Sequence, residues 1–392
     1  MSFSTSRSRS SARNNVRRQP ADIASLLVRG GMLAGVALSL KLWFPFHRLY
    51  PTAPAANWLA VGPAWIDALL TIVMIASLLA GERFWRVALV ALAMLVLRDQ
   101  SRLQPWVWEY ALLLIGLLSS RLETCRSIVI ALYLWSGIQK LNVTFATRTW
   151  ADVTSGWLPQ STWILIPLGE IAIAVALMLA RTRRVAVIAA VALHATILIA
   201  LVASHENSVV WPWNIVMAGV VVVLFRMDSG QQTADSGMRS MQWAVVAVAG
   251  VLPILNLFNC WDAYLSGALY SGNTEQAVVI VSPAVVAHLP EVIARNTWQQ
   301  SAPRFIDLNR WSFDELNVPA YPADRVFRAV GAEVCARYAD NGSLRILGRP
   351  DLLSGARTST TIPCVELAYE ARRLAAPALR NRHLASAAEG LR

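Results

Sequence analysis

Arg181-Thr-Arg-Arg-Val-Ala-Val-Ile-Ala-Ala-Val-Ala-Leu-His-Ala-Thr-Ile-Leu-Ile-Ala-Leu-Val-Ala-Ser204 decides how the rest of the chain is read. From Val185 to Ser204 it holds no ionisable residue but His194. As a helix rising about 1.5 Å per residue, that is enough to cross a hydrocarbon core of about 30 Å. The arginines gathered before it are a typical cytoplasmic flank. Working outward, comparable runs fall at about 22–44, 62–80, 85–98, 104–119, 125–141, 160–180, 208–226 and 241–259. The expectation is a mainly α, polytopic membrane helix bundle of about nine spans.

Composition agrees. The 392 residues are 56% hydrophobic and 15% charged, against about 25% charged in soluble domains. A net charge of +11 would suggest nucleic acid in a soluble chain, but these arginines punctuate apolar runs and form no patch interleaved with stacking aromatics. Nucleic acid is therefore excluded as a partner. One set of alternate connections carries Arg83, Arg86, Arg121, Arg126, Arg181, Arg183, Arg184, Arg226 and Arg239, besides the arginines of the N-terminal tail. The other carries only Arg48, Arg98, Arg102 and Arg148. This bias predicts a cytoplasmic N-terminus in the inner membrane and, with nine spans, an external C-terminus.

Residues 1–20, rich in Ser and Arg, read as a disordered basic tail. Residues 21–259 read as the bundle, 260–375 as a small α+β external domain, and 376–392 as a C-terminal tail. The external assignment rests on Gln276-Ala-Val-Val-Ile-Val-Ser282 as a strand, Ala323 to Tyr338 as an amphipathic helix, and Leu344 to Leu347 as a second strand after the Asn341-Gly342 turn signal. Cys335 and Cys364 lie in this segment, where an oxidising compartment permits a disulfide, whereas Cys125 faces the cytoplasm as a thiol. No spacing of Cys, His or Gly forms a zinc or nucleotide motif.

Ionisable residues inside spans mark sites, relays or internal ion pairs. Here they are Arg29, Asp99, Glu109, Lys140, Glu170 and His194. Glu109 sits between Trp106, Trp108 and Tyr110, so an interfacial carboxylate paired with Arg102 is as good a reading as a functional one. His194 reads more readily as a hydrogen-bonded core histidine. Glu170 has no cation nearby in sequence and must protonate or meet one from another span. Among 35 basic residues only Lys41 and Lys140 are lysines. Lys41 reads as an interfacial anchor. Lys140 is either a snorkelling lysine or an amine acting as general base or anion anchor, with Glu170 as its acidic complement. Gly137 would let a helix or a flat ring approach.

The run Tyr133-Leu-Trp-Ser-Gly-Ile-Gln-Lys-Leu-Asn142 resembles a segment of the vitamin K-dependent gamma-carboxylases and their HTTM-domain relatives, and more weakly the DoxX-like membrane proteins. The resemblance implies a quinone or quinol cofactor and Lys140 as the base that deprotonates it. Trp106 stands where that family has its catalytic histidine, which separates glutamate carboxylation from the rest of the implication. The leading expectation is a membrane enzyme binding a quinol or lipid-like ligand, with Lys140 and Glu170 catalytic and Trp106, Glu109, Gly137 and His194 lining the pocket. The alternative is a non-catalytic membrane scaffold, binding protein or transporter. Expected partners are membrane lipid, an apolar small molecule and a protein docking on the external domain.

Overall fold

In lipid every backbone N–H and C=O must be satisfied within the chain, and a helix does so internally. The computed structural model describes residues 5–60, 62–118, 122–154, 156–204, 207–227, 240–299, 303–338 and 341–368, and its first two-thirds is helical. The bundle contains α1 (Thr5–Leu38), α2 (Leu40–Trp43), α3 (Trp65–Ala80), α4 (Trp85–Arg98), α5 (Pro105–Leu118) and α6 (Leu122–Gln139). It continues through α7 (Trp150–Thr154), α8 (Leu165–Met178), α9 (Arg183–Ala203), α10 (Val210–Val222) and α11 (Ser240–Gly250). Helix α6 packs on α5, α8 and α11, α9 on α8 and α10, and α1 on α5 and α10.

Among the described residues three helical segments are long and apolar enough to cross a membrane: Pro20–Leu38, Gln160–Met178 and Arg183–Ala203. Each of the other predicted spans contains a helix, but a shorter or less apolar one. The Ser/Arg-rich segment predicted as disordered is helical from Thr5. Arginine is a good helix former, and no glycine interrupts the run before Pro20. The predicted tail 376–392 lies outside the described residues.

After the bundle the chain forms β1 (Gln276–Val281), α12 (Pro283–Val286), α13 (Glu291–Ala294), β2 (Thr297–Gln299), β3 (Arg304–Asp307), α14 (Leu308–Leu316), α15 (Asp324–Tyr338), β4 (Ser343–Pro350) and β5 (Arg357–Pro363). The strands pair antiparallel in the order β2-β3-β1-β4-β5. Alternate β1 side chains Ala277, Val279 and Val281 are buried. Helix α15 lays Val326, Phe327, Val330 and Val334 on the sheet, and Gly331 lies so close to Leu344 that a Cβ there would meet its side chain at 2.7 Å. Cys335 and Cys364 form a disulfide joining α15 to the end of β5. The strands β2, β3 and β5 were not expected from sequence.

This C-terminal unit docks on one end of the bundle. Glu315 accepts hydrogen bonds from the backbone N–H groups of Leu49 (2.5 Å) and Tyr50 (2.9 Å) and from Trp311 Nε1 (2.8 Å). Arg325 donates to Gln100 (2.6 Å), Val143 N–H to the Leu352 carbonyl (2.9 Å), Asn317 to Ser208 (2.8 Å), and Arg349 to the carbonyls of Asn256 and Trp261. These contacts involve the connections after α2, α4, α6, α9 and α11, which is every second one along the chain once the short α2 and α7 are set aside.

Asp262 secures part of the junction, accepting from Arg325 and from Tyr321 Oη (2.6 Å). Burial by itself would raise its pKa, but these hydrogen bonds and the Arg325 charge outweigh burial and hold it below the ordinary carboxylate value. A depressed folded-state pKa stabilises above the unfolded value of about 4 and is lost as pH falls through the folded value. Hydrogen exchange of residues 321–330, corrected for intrinsic rates, should therefore stay level from pH 8 to pH 5 and accelerate only below about pH 4. The acceleration should vanish in Arg325→Ala. Glu275 in the same cleft is pushed upward by burial, so Glu275→Gln provides the background in which to measure it.

Candidate functional site: a helix-walled cavity

Helix α6 carries Tyr133 and Ser136 on one face, and Lys140, directly after its last residue, continues the three- and four-residue spacing. Helix α5 does the same with Pro105, Trp108, Glu109 and Leu112. Together with α8, α9, α10 and the segment 264–270, these faces enclose a cavity of about 250 Å³ whose wall is overwhelmingly apolar.

Its polar fixtures are few. Lys140 Nζ lies 2.8 and 3.0 Å from the Glu170 carboxylate oxygens and 2.5 and 3.1 Å from Ser136 Oγ and O. Both charged residues are buried. An ammonium has three donors and no acceptor, and here every donor direction meets an acceptor. Lys140 is thus arranged as the cation of an ion pair with Glu170.

The second fixture is a hydrogen-bonded chain. Asn214 Nδ2 donates to the Val210 carbonyl (2.9 Å), which leaves Asn214 Oδ1 to accept from His194 Nδ1–H (3.0 Å). His194 Nε2 then accepts from the Tyr133 hydroxyl (2.7 Å). The network assigns this tautomer, in which both ring nitrogens of a neutral imidazole are satisfied.

The third is Glu109, 5% exposed, whose Oε1 has no hydrogen-bond partner. The pairing with Arg102, one of the two readings of Glu109, does not form. Arg102 instead donates to Asp67 (2.6 Å) and to the carbonyls of Leu95 and Leu42.

Two predicted pocket residues are elsewhere. Trp106 belongs to the α5 face that continues through Tyr110 and Leu113, and its ring packs against Gly35 and Trp43. Gly137 faces α8, where a Cβ would meet the Pro167 carbonyl at 2.6 Å, so a helix rather than a ring uses the space it leaves. Tyr133, Asn214 and Trp213 line the cavity and were not singled out from sequence. Tyr133 stood legible at helical spacing from Lys140, whereas Asn214 gave no local signal. Among the described residues no cluster of His, Cys, Asp or Glu could hold a metal ion.

The sequence profile of the family described as methylamine utilisation protein MauE, a membrane protein family, matches residues 112–209. That interval runs from mid-α5 to the start of α10 and contains Lys140, Glu170 and His194. No curated protein and no solved structure matches the chain. The match corrects the resemblance drawn from Tyr133 to Asn142: that segment lies inside a different family's profile, and nothing supports the HTTM-domain or carboxylase assignment. In the short Gly-x-x-Lys core, Gly137 admits the α8 backbone and Lys140 pairs with Glu170.

Removing one partner of a buried pair costs about 3–5 kcal/mol, while replacing both by apolar residues costs little. Lys140→Met should therefore lower the thermal unfolding temperature sharply in detergent, and Lys140→Met with Glu170→Leu should recover most of it. Equal stability of the single variant and the parent would show that the pair holds nothing together.

Proposed function

We propose that this chain is a multi-pass membrane protein that binds an apolar small molecule in the cavity between α5, α6, α8, α9 and α10, as a binding or transport protein rather than as an enzyme using an amine base. One observation carries this reading: an apolar cavity of about 250 Å³ inside the helices, with its lysine already neutralised by Glu170. Ligand sites are mostly apolar hollows with a few placed polar groups, and this one has the ion pair, the Tyr133–His194–Asn214 chain and Glu109. A lipid-soluble quinone is one occupant of suitable character.

The membrane arrangement belongs to the same proposal. The chain crosses nine times, with shorter helices extended by their flanking turns, and the connections that meet the C-terminal unit lie on one side. That side is the arginine-poor one and is external, which suits a Cys335–Cys364 disulfide.

Two measurements test it. In nanodiscs, decylubiquinone should quench tryptophan fluorescence saturably, and Ala131→Phe, which fills the cavity from α6, should weaken that binding at least tenfold. Unsaturable quenching identical in both proteins would reflect partition into lipid and refute a quinone in the cavity. In spheroplasts, the exposed Cys260 should react with an impermeant maleimide added outside, while the buried Cys125 should not. Labelling of Cys260 only after lysis would reverse the orientation.

A further inference from the structure

The buried acids of the bundle are not treated alike. Asp67 has Arg98 and Arg102, Asp99 has Arg48, and Glu170 has Lys140. Glu109 is buried as deeply, yet among the described residues no cation of the chain pairs with it, and its Oε1 is left without a partner. It is also the one of the four that lines the cavity without its own counter-ion. A lone carboxylate in apolar surroundings is costly, and a group so placed takes a proton or a cation.

The walls near it favour a cation. Trp108, Trp135 and Trp213 line the same cavity, and indole faces attract ammonium groups when water is excluded. Lys140 does not compete for Glu109, because its protons are committed to Glu170 and Ser136. His194 is no rival either, its two nitrogens being engaged by Tyr133 and Asn214.

We infer that the occupant of the cavity is an organic amine with an apolar body, whose ammonium group pairs with Glu109 while the body lies against the aromatic wall. This rests on the cavity being a ligand site. It goes further by fixing the chemical class of the head group and the residue that reads it.

Matched probes separate the two. Equilibrium dialysis of labelled 2-phenylethylamine and 2-phenylethanol against the full-length protein in nanodiscs compares heads on one body, with empty nanodiscs subtracted. The amine should bind at least tenfold more tightly than the alcohol. Glu109→Gln, which keeps the shape and removes the charge, should bring the two within about twofold, and Glu109→Asp should keep part of the preference. Parent-like thermal unfolding of each variant, together with retained alcohol binding, shows that the cavity is intact. Equal binding of amine and alcohol by the parent protein, or an amine preference that survives in Glu109→Gln, would overturn the inference and leave the cavity reading standing. Failure of amine, alcohol and decylubiquinone alike to bind above empty nanodiscs would overturn both.

Discussion

The crossing of α6 and α8 at Gly137 is the constraint on which the cavity depends. With no side chain at 137, the α8 backbone comes up to α6 at Pro167 and Ile171, and within a turn on each helix that approach brings Lys140 and Glu170 into a four-acceptor cluster. The contact and the charge pair support each other. Without the small residue the helices would stand too far apart for two hydrogen bonds to one carboxylate, and without the pair a charge would remain inside the bundle unpaired. Fixing α8 here keeps Glu170 on the cavity wall paired with Lys140 and leaves α9 and α10 to complete the lining.

The other buried charges do different work. Asp67, Arg98 and Arg102, with Asp99 and Arg48, sit where the connections after α2 and α4 meet. Their hydrogen bonds run largely to backbone carbonyls and amides: Arg48 to Tyr50 and Pro51, Arg102 to Leu42 and Leu95, Asp99 to Ala53 and Ser101. Irregular backbone at a helix end needs such partners, since its own ladder has stopped. The polar turn Arg98-Asp-Gln-Ser-Arg102 is therefore a knot that shapes this end of the bundle for the C-terminal unit.

Apolar periodicity is strong in this chain, so helix positions and the α15 and β1 elements were legible from residues alone. The short strands β2 and β3 were not, because three or four residues carry too little pattern to separate a strand from a loop. Of the site, the Lys140–Glu170 pair could be anticipated because each is an isolated charge in an apolar run that must meet its opposite. Trp106 and Gly137 were misplaced for one reason: on a helix buried on several sides, hydrophobicity does not say which face meets a neighbour and which meets a cavity. The carboxylase resemblance failed because it leaned on a core whose residues answer to helix packing.

The C-terminal unit bears on the cavity as well as on the helix ends. Tyr264 and Tyr270 line the cavity's end, and each is tied to a different body: Tyr264 Oη donates to the Ala320 carbonyl of the C-terminal unit (3.4 Å), and Tyr270 Oη accepts from Asn207 at the α9–α10 connection (2.6 Å). Gly267, between them, adopts a positive φ and brings the chain onto the backbone of Ser136, where a Cβ would stand 3.2 Å from its amide nitrogen. Segment 264–270 is thus held from the sheet side, from α6 and from the α9–α10 turn, and closes the cavity at the end where the C-terminal unit docks. With that end closed, a ligand of the proposed kind would reach the cavity from the bilayer, between helices. Among the described residues Glu109 is then the buried acid on the cavity wall without a counter-ion, the feature by which the proposed site would tell an amine from a passing lipid.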